Sequence, residues 1–447
     1  MTTPTSASGS TGAPSGTTPS PAPSNASGAS AGSLPDLPIR TLSADELQSA
    51  VDRALESFLE EEEPEERDVW NALFEPARTY AAFDGKRIAS TAGSFAFRLT
   101  VPGGGDPVAA AGVTMVTVGA EYRRRGLLRS MMRRQLDDVR AAGEPLAVLM
   151  ASEGSIYGRF GYGLASRSVQ ATVQRRRASV LEVPGIDDYR LRRADTEESL
   201  PQCERVHARV VPTRPGMPVR GERWERLAVL DAPGARHGAV PLRTVLAERA
   251  SDGEVVGYAR YSGKMGVDEG GNAEGTLKVK DVEAVEPAAY AALWRHLLAM
   301  DLVRDVETRR PSDDPLFALL SDVRLARSVL RDDLYVRLVD VGAALAARRY
   351  AREVDVVLEV ADAFCGWNAG RWRLRGGPQG AACARTDDAA DVVLSVRELG
   401  AAYLGSGFAS LRGLADAGRV VEVTPGAVAA LSAAFASERE PWMPHGF

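Results

Sequence analysis

The 447-residue chain reads as an α/β protein with mixed sheets, in three folded parts behind a disordered tail. Three observations predict this. The length exceeds what one hydrophobic core holds, since domains average about 150 residues. Between residues 79 and 150, strand patterns alternate with one long helical pattern. Finally, the strand–loop–helix layout VTMVTVGAEYRRRGLLRSMMRRQL returns as LKVKDVEAVEPAAYAALWRHLL. This is a weak internal duplication whose second copy lacks the arginines and the glycine.

Residues 1–36 are almost entirely Ser, Thr, Pro, Gly and Ala, too poor in apolar surface to offset the entropy of ordering. Order is expected from Ile39–Leu42, a short strand. Ser43 and Glu46 then have capping-box spacing ahead of a helix through Leu47, Val51, Leu55 and Phe58. The acidic run Glu60–Glu63 follows, either a solvated helix end or a rim that attracts a cationic substrate. Thr79–Phe83 and Ile88–Leu99 read as a hairpin turning at Asp84-Gly85-Lys86. Val113–Val118 is a strand, and a helix carries Leu127, Leu128, Met131, Met132, Leu136 and Val139 on one side up to Gly143. Leu146–Met150 is the next strand.

A second part opens at Tyr189–Arg192, again strand before helix, and includes a strand Leu277–Val285 feeding a helix Pro287–Leu298. From Leu334 the texture becomes Ala-rich helices and short strands: Val341–Arg348, Val356–Val360, Trp372–Arg375, Asp391–Ser395 and a last helix Ala427–Phe435. The expected parts are therefore residues 37–185, 186–333 and 334–447.

Composition excludes several classes. A net charge of −6, with only four lysines, disfavours a nucleic-acid binder that needs a broad basic face. Three widely spaced cysteines and four scattered histidines argue against a disulfide framework and a metal site. No apolar run approaches the roughly 20 residues of a membrane span, and the N-terminus lacks the pattern of a secretory signal. A reduced, cytoplasmic setting is the simplest expectation.

Two stretches carry chemistry. In Glu121-Tyr122-Arg123-Arg124-Arg125-Gly126-Leu127-Leu128-Arg129, a helix begins in free N–H groups with arginines around it. That is a ready anion site, or else a solvated basic turn. Neither a dinucleotide fingerprint nor a P-loop is present. In ASEGSIYGRFGYG, residues 151–163, a strand delivers Ser152 and Glu153 to its C-terminal end, where open α/β sheets place ligands. Ile156, Tyr157 and Phe160 have the spacing of a short helix packed on the sheet. On residue chemistry alone, Tyr157 and Tyr162 are each either a packed ring or a proton donor.

Together, Arg123-x-x-Gly126 after one strand and Ile156-Tyr157-x-x-x-Gly161-Tyr162 after the next resemble the GNAT superfamily of acetyl-CoA-dependent N-acetyltransferases. Leu128 departs from that superfamily's pattern, which has Gly or Ala there. The runs RRRGLLR and ASEGSIYGRFGYG resemble more narrowly the enhanced intracellular survival (Eis) family. That resemblance implies two tandem GNAT folds, the second degenerate, then a sterol-carrier-like α+β domain, in a homo-hexamer. It implies that Val116, Thr117 and Val118 pair with the pantetheine arm of acetyl-CoA. Arg124, Arg125, Gly126, Leu127, Leu128 and Arg129 would hold its pyrophosphate, and Ser152 and Glu153 would flank the acetyl-CoA at the splayed end of the next strand.

The resemblance also implies Tyr157 as general acid and the α-carboxylate of Phe447 as general base for direct attack of an amine. Where relatives carry an acid, position 446 is glycine, and Glu60 is a possible substitute for holding a cationic substrate. The implied acceptor is an aminoglycoside. Alternatives are a protein-lysine or polyamine acceptor or, in a different class, a lipid-binding or scaffold protein with an inert GNAT fold.

Overall fold

Gly85, at φ 60°, turns the chain in the left-handed region that side chains disfavour. The expected hairpin forms around it. The computed structural model describes residues 37–447, and the tail expected over residues 1–36 lies outside them. In chain order the first part comprises β1 (Ile39–Thr41), α1 (Leu47–Phe58), α2 (Pro64–Leu73), β2 (Thr79–Asp84), β3 (Arg87–Leu99), β4 (Val108–Val118), α3 (Leu127–Ala141), β5 (Leu146–Met150), α4 (Gly154–Tyr157) and β6 (Gly163–Leu164).

Two local expectations change. At the start of α1 the capping runs one way: the Ser43 amide (3.0 Å) and hydroxyl (2.9 Å) both donate to the Glu46 carboxylate, and the helix begins after Glu46. The acidic run is a connection into α2, not merely a solvated helix end. The Glu63 side chain accepts from the third helical amide, and Glu66 reaches back to the Glu63 amide at 3.3 Å. Pro64 at the first helical position, followed by Glu65 and Glu66, is the sequence signal for this helix.

The second part begins earlier than residue 186. Here β7 (Arg167–Gln174) lies between the later strands β12 and β13 of a sheet ordered β13-β7-β12-β11-β10-β9-β8. These are β8 (Tyr189–Ala194), β9 (Arg243–Arg249), β10 (Val255–Lys264), β11 (Gly275–Ala284), β12 (Val303–Pro311) and β13 (Ala326–Asp332), with helices α5 (Leu200–Val210), α6 (Glu225–Val229) and α7 (Pro287–Leu298). The chain then returns: β14 (Leu334–Leu338) inserts between β5 and β6, completing the first sheet as β1-β2-β3-β4-β5-β14-β6. All five β14 residues are buried, as a strand covered on both faces requires. So Leu334–Leu338 lies in the first sheet, not in the third part.

The third part holds β15 (Val354–Ala361), β16 (Gly370–Gly377), β17 (Gly380–Arg385), β18 (Val392–Ser395) and β19 (Val420–Glu422), a separate five-stranded sheet with β15 and β18 parallel. Its core is continuous with that of the first part. One apolar cluster runs from Phe95, Phe97 and Leu99 through Leu334, Val336 and Leu338 to Leu358, Tyr403 and Phe435. Among the described residues no helix is long and apolar enough to cross a membrane.

Candidate active site

The site opens where β4 and β5 part. They pair in parallel only from Ala110 to Gly112, opposite Leu146 to Val148. Beyond that, β4 carries a bulge: its register against β3 shifts opposite Thr91–Gly93, and Met115 sits at φ 54°. Side chains of β3 take up the bulged carbonyls, Thr91 Oγ1 donating to Met115 (2.7 Å) and Ser90 Oγ to Thr117 (2.6 Å). Residues Val116–Val118 therefore keep β3 on one edge and leave the other facing a cleft.

The loop from β4 to α3 is anchored by Tyr122, a buried ring whose hydroxyl donates to Asp84 Oδ2 at 2.8 Å. It ends with Arg124 at φ 61° and Gly126 at φ 85°, the latter opening α3 without a side-chain cap. A β-carbon on Gly126 would meet no atom within 4 Å. The first amides of α3 thus point, unpartnered by the helix, into open space ringed by arginines. This cradle fits the pyrophosphate of a CoA ester. Leu128, the departure from the superfamily pattern, is half-buried and packs on the cluster of Met132, Leu136 and Phe160.

A cavity of about 580 Å³ follows from this geometry. It is lined by Val116, Thr117, Val118, Arg124, Gly126, Leu127, Leu128, Arg129, Ser152, Glu153 and Tyr157. Of the residues singled out for the cofactor, Arg125 alone is absent from this lining; its side chain is exposed to solvent.

A second cavity, about 430 Å³, adjoins the first. Glu60, Glu62, Trp70, Phe74, Gly446 and Phe447 line it, and Tyr157 and Ser152 border both. Glu62 escaped the sequence reading, which had no way to tell which member of a four-glutamate run turns inward. Its side chain is 6% exposed, with Arg67 Nε donating to Oε2 at 3.3 Å. Burial pushes its carboxyl above the usual carboxylate range, against the pull of Arg67.

The two tyrosines differ. Tyr162 is fully buried, its hydroxyl unpartnered, and its ring meets that of Tyr157 edge-on at 6.0 Å. Tyr157 closes α4 at the junction of the cavities. Burial, aided by the nearby Glu153 charge, pushes its phenol up to about 12, so it holds its proton at neutral pH. Across the second cavity the ring of Phe447 stands edge-on to Phe97 at 4.9 Å.

The duplicated unit shows the contrast. Only two residues separate β11 from α7, and the helix opens on Glu286 and Pro287. The Glu286 carboxylate accepts from Arg249 and from the Tyr189 hydroxyl (2.7 Å). A carboxylate therefore stands where an anion would have to bind.

A bulged strand splayed from its parallel neighbour, with a helix N-terminus across the gap, defines a GNAT-type N-acetyltransferase, whose fold implies acetyl-CoA as co-substrate. Models of the acetyltransferase (GNAT) domain match residues 38–165 and 216–338, and a sterol carrier protein domain matches 341–444. The chain belongs to the Eis family of N-acetyltransferases. It is 35% identical over 399 residues to the N-acetyltransferase Eis of Mycobacterium tuberculosis, covering 86% of this chain and 93% of the relative. An uncharacterized N-acetyltransferase of Streptomyces avermitilis is 54% identical over 387 residues, covering 86% and 93%. Among solved structures, Eis1 from Mycobacterium abscessus superposes with a TM-score of 0.78 at 33% identity, over 92% of this chain and 100% of that one.

Proposed function

We propose that the enzyme acetylates primary amines of a cationic acceptor, an aminoglycoside foremost, by direct attack on acetyl-CoA. Tyr157 serves as general acid and the α-carboxylate of Phe447 as general base. The observation that carries this reading is the shared cavity of Glu60, Glu62, Tyr157 and Phe447, joined at Tyr157 to the arginine-rimmed one. In the first cavity, the edge of Val116–Val118 suits the pantetheine amides. Arg124 and Arg129, with the amides from Gly126 on, suit the pyrophosphate. Arg125 adds charge from outside, and Ser152 and Glu153 flank the entry to the second cavity.

An alkylammonium, of pKa near 10.4, must lose a proton before it attacks. A terminal carboxylate, ionised above about 3.7, takes that proton directly or through water. The new C–N bond forms as the C–S bond breaks, and the sulfur takes the Tyr157 proton. The Tyr157 phenol, pushed up by burial to about 12, is a weaker acid than a thiol of about 8.5. Tyr157 therefore acts by a hydrogen bond that strengthens as charge gathers on sulfur, with transfer late. The proton is restored from the attacking nitrogen through solvent.

With glycine at 446, Glu60 and Glu62 supply the negative charge that a polycation meets. A protein-lysine or polyamine acceptor uses the same chemistry. A homo-hexameric, cytoplasmic enzyme completes the reading. CoA release measured over an amine panel tests it: kcat/KM for a kanamycin-type amine should exceed that for spermidine and for a lysine peptide at least tenfold. The reverse order replaces the acceptor class, and no release over the whole panel removes acetyl transfer.

A further inference from the structure

The second GNAT fold has lost its anion site, yet it holds the segment that ends in the acceptor cavity. Glu440 is where this segment leaves the third part: its carboxylate accepts from the Gly407 amide at 2.8 Å and from the Ser406 hydroxyl. From Glu440 to Met443 the backbone hydrogen bonds go to residues of the second fold. The Arg214 guanidinium donates to the Glu440 carbonyl (2.7 Å), and the Glu440 amide donates to Asp313 Oδ2 (3.0 Å). The Trp442 amide donates to the Pro215 carbonyl (2.9 Å). Arg309 donates to the Met443 carbonyl (3.0 Å) and lies over the Trp442 ring at 4.3 Å.

Packing follows the same partner. Trp442 buries against Val211 and Met217. His445 stacks on Trp224 at 5.4 Å with 25° between the planes. Burial pushes the His445 imidazole down to about 3, so it stacks as a neutral ring. Trp224 in turn meets Phe97 edge-on at 5.0 Å, and Phe97 meets Phe447 at 4.9 Å. Gly446, the last link, has no neighbour within 4 Å of where a β-carbon would stand. Left to itself, a Gly-Phe end would sample many orientations, and fixing it costs backbone entropy.

We propose that the second fold is the clamp that places Phe447 in the acceptor cavity, with Arg309, Trp224 and the Arg214–Asp313 pair as positioning residues. This rests on the reading of the Phe447 carboxylate as base. A fold whose helix α7 opens on a carboxylate thereby serves the acceptor site, at one remove from the reacting atoms.

Carboxypeptidase A acting on the native full chain reads the clamp without reference to activity, since it removes a C-terminal phenylalanine only when the end is free. In the unaltered enzyme Phe447 should be released slowly. In Trp442→Ala and Arg309→Gln, release should be at least tenfold faster. In the same variants kcat should fall at least tenfold, with KM for acetyl-CoA within twofold, and Arg309→Lys should recover part of both. Arg309 also donates to the buried Asp333 carboxylate; circular dichroism melts keep the comparison to folded variants, and where Arg309→Gln fails to fold because Asp333 loses that partner, Trp442→Ala carries the test. Unchanged release overturns the clamp, whatever turnover does. Faster release with unchanged turnover overturns the base assignment and, with it, the catalytic purpose of the clamp.

Discussion

Tyr157 and Tyr162 stand five positions apart, and burial separates them. Tyr162 is sealed beneath the segment, while Tyr157 borders both cavities. Removing one hydroxyl tests the difference. Tyr157→Phe should lower kcat about a hundredfold to ten-thousandfold, the range typical of a lost general acid, with KM for acetyl-CoA nearly unchanged; unaltered turnover would remove it as the acid. Glu62 calls for the opposite split. Glu62→Gln should raise KM for a cationic amine about fivefold to tenfold, equivalent to roughly 1 kcal/mol, with kcat little changed. Its pH dependence has a definite sign. Because burial raises the Glu62 carboxyl, it takes up its proton at a higher pH than a free glutamate does. Acceptor kcat/KM should therefore start to fall, as pH is lowered, above the ordinary carboxylate range of about 4.3. Glu62→Gln should lack that limb, and identical profiles for the two enzymes would dismiss Glu62 as an acceptor contact.

The segment around Tyr157 is short, and its support comes from elsewhere in the chain. Four residues of α4 and one further turn bury little surface of their own. Phe160 instead packs edge-on against Phe364 at 5.0 Å. Gly161, at φ 85°, lies so close to Arg337 of β14 that a β-carbon would stand 2.4 Å from Nη1. Arg337 is fully buried and donates to Asp362 Oδ2 at 2.6 Å, while Asp362 also accepts from the Cys365 amide at 2.8 Å. Removing one partner of a buried pair typically costs about 3–5 kcal/mol, because the other charge stays unpaired. Asp362→Asn should accordingly lower the thermal midpoint by several degrees and speed loss of activity on warming. A variant as heat-resistant as the parent would show that Arg337 finds other partners. The motif around Tyr157 is legible in the chain; that its floor is built from residues 337, 362 and 364 is not, because no local pattern encodes a partner two hundred positions away.

In the whole molecule, the three parts are stitched by strands that cross the boundaries read from sequence. Strand β14 sits between β5 and β6, next to the strand that delivers Ser152 and Glu153. A chain cut before Leu334 should therefore fail to give a folded acetyltransferase, seen as loss of a cooperative melt and of CoA-dependent activity; a stable, active fragment would mean that β5 and β6 close without it. Much was readable along the chain: α7 as Pro287–Leu298, β5 as Leu146–Met150 and the final helix Ala427–Phe435 agree residue for residue with the sequence pattern. So does the glycine that opens α3, whereas Tyr157, expected near the start of its short helix, is the last residue of α4. Such features rest on periodicity, caps and turn chemistry, which act within a few residues and are written locally. The inward turn of Glu62, the crossing of β7 and β14 and the seating of Phe447 against Phe97 depend on pairing and packing between distant segments. Many sequence registers satisfy the same local pattern there, and burial of a common core selects one.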